Sequence, residues 1–134
     1  MQRNNLNVKT LNVTRKEFFV RWLEFLKPYH GLRQKEIELL SLFLYKRFEL
    51  EKVIKDEKIL NKILFGTESR SEIRDELKYS SSQILNNMIS SLRTKGVLQK
   101  DNSILKGLIP NITENNFRLL FNFNIIDDEV RPDN

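Results

Sequence analysis

The chain contains no cysteine, so it can form neither a disulfide framework nor a cysteine-type structural zinc site. Its only histidine, His30, sits in a Pro28-Tyr29-His30-Gly31 turn without a spaced ligand or nucleophile beside it, and reads as a surface or helix-end side chain. Residues 80–82 are three serines, which helix capping accounts for without any nucleophilic role. Carboxylates occur in pairs, Glu36 with Glu38 and Glu49 with Glu51, but among other charges and with no glycine-rich phosphate loop nearby. No catalytic residue, cofactor, metal ligand or small-molecule substrate is therefore expected. The densest apolar run, residues 39–45, is too short and too closely flanked by charge to span a bilayer, and MQRNNLNVKT at residues 1–10 lacks the apolar stretch of a secretory signal. No membrane partner and a cytoplasmic setting are expected. Alanine is also absent, whereas Asn, Lys, Ile, Phe and Tyr abound, a bias that matches AT-rich coding DNA.

What is present suits one folded domain. The 134 residues are 40% hydrophobic and 31% charged, enough to bury a core. The net charge of +5 is spread unevenly, positive over residues 1–35 and negative over 101–134, without a block long enough to be a polybasic arm. The expected organisation is an extended N-terminal arm at 1–13, a single domain at 14–126 and an acidic tail at 127–134.

Thr14-Arg15-Lys16-Glu17 is a capping box that should open a helix ending near Lys27, ahead of Pro28. Along it Phe18, Trp22 and Phe25 form one apolar row and Phe19, Leu23 and Leu26 a second. Residues 33–50 read as another helix, apolar on nearly every side; such a helix must be a central post or be partly covered by a second subunit. A shorter amphipathic helix carries Ile59, Leu60, Ile63 and Leu64 and stops at Gly66. Ser69-Arg70-Ser71-Glu72 reads as a second capping box, opening a short helix to Leu77. A further helix spans about 81–95, with Ile84, Leu85, Met88, Ile89 and Leu92 on one side and Gly96 at its left-handed cap. Residues 97–100 and 104–108 then form a predicted hairpin around Asp101-Asn102-Ser103. At 117–125 the apolar residues Phe117, Leu119, Phe121, Phe123 and Ile125 alternate as in a strand.

Helix, tight turn, helix and hairpin follow one another in residues 69–109, through Glu72-Ile73-Arg74-Asp75-Glu76-Leu77, Ser80-Ser81-Ser82-Gln83-Ile84 and Leu92-Arg93-Thr94-Lys95-Gly96-Val97-Leu98. This stretch resembles the winged helix-turn-helix superfamily, and the whole chain looks like small winged-helix proteins of tailed bacteriophages. The resemblance implies a mainly α (α+β) fold with a winged helix-turn-helix core, two long N-terminal helices and a C-terminal strand or hairpin. In the turn after Leu77 the family often has glycine because the backbone becomes left-handed; here Lys78 stands there.

The same resemblance implies duplex DNA as partner, with the 81–95 helix in the major groove. Gln83, Asn86, Asn87, Ser90 and Arg93 then face the bases, since Asn and Gln suit adenine and Arg suits guanine. Lys78, Ser81, Lys95, Lys100 and Lys106 would meet phosphates. The rival expectation is an assembly component of a phage particle that uses the same domain and the arm for contacts with itself or other phage proteins, on the virion rather than free in the host cytoplasm. Leu6, Val8, Leu11 and Val13 of the arm, with Trp22 of the first helix, would form its interface.

Overall fold

A computed structural model describes residues 9–112 and 115–128. Among these residues the chain forms six α-helices: α1 (Arg15–Phe25), α2 (Lys27–His30), α3 (Gln34–Glu51), α4 (Glu57–Leu64), α5 (Thr67–Leu77) and α6 (Ser82–Thr94). A single 3-10 turn follows at Lys106–Leu108. The described residues contain no strand, only an isolated antiparallel bridge between Leu98 and Ile104. The fold is all-helical, which overturns the expected α+β class with its wing and its C-terminal strand.

Local chemistry sets the helix ends. The Thr14 hydroxyl accepts from the Glu17 amide at 3.1 Å while the Thr14 amide donates to Glu17 Oε1 at 3.1 Å, so the first capping box forms. The chain breaks at Leu26 because Pro28 has no amide to continue the ladder, and residues 27–30 make a separate single turn closed by Gly31 at φ 64°. His30 locks this corner. Its Nε2 donates to the Leu23 carbonyl at 2.7 Å and its Nδ1 accepts from the Leu32 amide at 2.9 Å, so both ring nitrogens are structural. The Asp56 carboxylate caps α4 by accepting from the amides of Lys58 and Ile59. The box expected at Ser69 does not form, because α5 already starts at Thr67 with Gly66 as its N-cap. A Cβ on Gly66 would lie 3.1 Å from the Lys62 carbonyl oxygen, so glycine lets one helix run almost directly into the next, and Ser69 is buried inside the first turn.

α3 is the post around which α1, α4, α5 and α6 pack. Its Ile37, Leu39, Leu40, Leu42, Phe43 and Leu44 are all buried. They meet Phe19 and Leu23 of α1, Leu60 and Leu64 of α4, Ile73 of α5 and Leu85, Ile89 and Leu92 of α6 in one core. Each such side chain contributes about 1.5–3 kcal/mol relative to exposure, so the nearly all-round apolar helix is accounted for within the chain.

Both expected β regions pack through side chains instead of ladders. After Gly96, at φ 81°, the chain turns back on itself. The Gln99 amide donates to the Ser103 carbonyl at 2.8 Å and the Leu105 amide to that of Val97 at 2.9 Å. Pairing stops there because residues 106–108 coil into the 3-10 turn, where Leu108 is buried and its carbonyl accepts from Trp22 Nε1 at 2.9 Å. The alternating run at 117–125 has no sheet to join. It lies along α1 in the same direction, with Phe117 against Phe18 and Trp22 (centroids 5.1 and 5.5 Å) and Phe121 stacked on Phe25 at 5.3 Å. This segment therefore covers the row of Phe18, Trp22 and Phe25 on α1.

Candidate nucleic-acid interface

α5 and α6 are joined by the short turn at residues 78–81. Lys78 takes the left-handed conformation there, φ 59° and ψ 35°, while the Tyr79 amide donates to the Arg74 carbonyl at 3.0 Å. A lysine in this conformation costs about 1 kcal/mol relative to glycine. The turn lets Leu85, Ile89 and Leu92 of α6 enter the core, and on the opposite side Gln83, Asn87, Ser90 and Thr94 are exposed. Their spacing of four, three and four residues makes a continuous polar stripe. Gln83 Nε2 donates to Asn87 Oδ1 at 2.8 Å, which orders two amide groups able to present paired donors and acceptors.

The other expected base-reading residues are placed differently. Asn86 is half-buried and its Oδ1 accepts from Arg70 of α5, so it ties the two helices together. Arg93 is exposed but donates to the side-chain oxygen of Asn102, which itself sits at φ 64° in the loop beyond α6. Thr94 belongs to the outward stripe. Its hydroxyl donates to the Ser90 carbonyl at 3.1 Å.

Of the expected phosphate contacts, Lys78, Lys100 and Lys106 are exposed and form no ion pair among the described residues. Ser81 is the N-cap of α6 by backbone conformation, but its hydroxyl makes no capping bond. Capping therefore does not explain the serines, and the first amides of α6 carry no side-chain partner there. Lys95 belongs to a different structure. Its Nζ lies 2.6 Å from Glu36 Oε1, and Ser91 of the same helix donates from Oγ to Glu36 Oε2 at 2.5 Å.

Glu36, read from sequence as half of a solvated carboxylate pair, is fully buried. Burial pushes its carboxyl upward, but the bonds from Lys95, Ser91 and the Arg33 amide and guanidinium outweigh burial and hold it at about 2. Its sequence signal is the spacing of three from Arg33, since the Arg33 amide donates to Glu36 Oε1 at 2.8 Å at the start of α3. The partners on α6 lie too far along the chain for local pattern to reveal them.

Leu11 and Val13 of the expected interface are exposed, Trp22 is half-buried under Phe117, and Leu6 and Val8 lie outside the described residues. No described helix is long and apolar enough to cross a membrane. Among the described residues no cluster of His, Asp and Glu is arranged to hold a metal ion. No family model, curated protein or solved structure matches the chain.

Proposed function

We propose that this chain is a non-enzymatic DNA-binding protein whose α5–turn–α6 unit lays α6 in the major groove. The observation that carries this reading is the stripe of Gln83, Asn87, Ser90 and Thr94 opposite the buried side of α6. Beside it lie the uncapped first turn of that helix and the exposed Lys78. A helix presented in this way supplies amide side chains for base edges, and its N-terminus and lysines supply partners for phosphates. The resemblance to helix-turn-helix proteins of tailed bacteriophages rests on the chain's layout and composition; with it goes a place in the infected cell's cytoplasm or on the virion.

The test is binding to random duplex DNA by fluorescence anisotropy across a salt series. Replacing Lys78, Lys100 and Lys106 with Glu should weaken binding to every sequence and flatten the salt dependence; unchanged affinity would sink the proposal. Lys95 is left intact because its removal would strand Glu36 and confuse folding with binding. A second reading, assembly through protein contacts, is favoured by the bare apolar side chains at the C-terminal end, Leu120, Phe123 and Ile125. Full-length protein that ignores DNA at low salt and remains folded would favour it.

A further inference from the structure

We propose that two copies of this chain associate by pairing residues 117–126 as antiparallel strands about a two-fold axis. The segment has the pattern of a strand without the partner of one. Its odd-numbered positions are apolar from Phe117 to Ile125, yet no backbone hydrogen bond joins residues 115–126 to any other described residue. A free row of amides and carbonyls beside alternating apolar side chains is a template for strand addition. Among the described residues no strand is present to fill it.

The side chains point to the same occupant. Phe117 and Phe121 rest on α1, but the row runs on past the end of that helix, leaving Phe123 82% and Ile125 90% exposed. Leu120, on the other face, is 86% exposed. An antiparallel copy whose axis passes through residue 123 sets Phe123 opposite its own counterpart and Phe121 opposite Ile125, so odd positions meet odd ones. Phe121, Phe123 and Ile125 of each copy then cover those of the other in one continuous apolar row. Charge selects the direction. Arg118 is the only charged residue between 115 and 126, and Asp127 follows at the far end. Antiparallel pairing brings the basic end of one strand beside the acidic end of the other, whereas parallel pairing sets like beside like. A two-fold pair of identical strands also closes the assembly at two copies.

The test uses full-length protein in light scattering over a concentration series that reaches roughly 100 μM, a range in which weak strand-mediated dimers populate. Infrared spectroscopy on the same samples reads the β-sheet amide signal. The expected result is a dimer whose β signal grows in step with the dimer fraction. Replacing Phe123 and Ile125 with Asp, both exposed in the single chain, should leave helix content unchanged and raise the dimer dissociation constant at least roughly tenfold. A chain that stays monomeric throughout the series overturns the proposal. So does a dimer that forms without the β signal, or one that the double variant leaves intact.

Discussion

At Glu36 a carboxylate lies in the core because its oxygens are met by the Arg33 amide and guanidinium, the Ser91 hydroxyl and the Lys95 ammonium. Its ionised form is the one these donors stabilise, so its folded pKa falls from an ordinary 4.5 to about 2. A depressed carboxylate contributes stability that is present above its unfolded pKa and is lost as pH falls through its folded one. On the order of 3 kcal/mol should therefore disappear between pH about 4.5 and 2. Urea unfolding of wild type and Glu36→Gln across that window checks this: the variant should be less stable near neutrality, and the gap should narrow toward pH 2. Lys78 makes a prediction of opposite sign. Replacing it with glycine relieves a left-handed lysine, so Lys78→Gly should stabilise by up to about 1 kcal/mol in thermal unfolding. The left-handed position after Leu77 was expected only through the resemblance to helix-turn-helix proteins, since Lys78 itself gives no local sign of it. Glu36's burial was not legible, because it depends on Ser91 and Lys95, residues that only folding brings near.

Elements whose ends and buried faces are decided locally were the legible ones. Thr14 and Glu17 announce α1, Gly31 and Arg33 bracket the start of α3, and Leu85, Ile89 and Leu92 identify the inner side of α6. The start of α5 was misread, since Ser69 and Glu72 have capping spacing but Gly66 had already begun the helix. The alternation at 117–125 misled for a stronger reason. Period two states which side chains share a face, but a strand also needs a neighbour's backbone, and here aromatic packing on α1 replaces it. If that packing holds the segment, Phe117→Ala should expose Trp22 and shift its fluorescence emission to longer wavelength without loss of helical circular dichroism. In contrast Leu92→Ala, which empties a fully buried site between α6 and α3, should lower global stability by about 2–5 kcal/mol.

For the whole molecule, hydrophobic periodicity foretold a buried core and several helices, and it failed on fold class because the runs at 97–100, 104–108 and 117–125 have the pattern of strands but form none among the described residues. Overall charge is a weaker guide to the site than position. Lys95 contributes to the net +5 but is neutralised within the fold, so of the expected phosphate contacts only Lys78, Lys100 and Lys106 remain as exposed, unpaired cations among the described residues. If DNA is the partner, the slope of log affinity against log salt should correspond to few phosphates and fall by about 1 for each of these three removed. The C-terminal segment has one more consequence. It is fastened to α1 by rings, by Arg15 bonded to the Asn115 side chain and by no backbone bond among the described residues, so in a dilute, single chain its release breaks no hydrogen-bond ladder. Segments of this kind open far more readily than the core that supports them. Brief digestion with chymotrypsin should therefore cut first at Leu120 or Phe123 and leave a resistant helical fragment, a cleavage order set by how the segment is attached and not by how apolar it is.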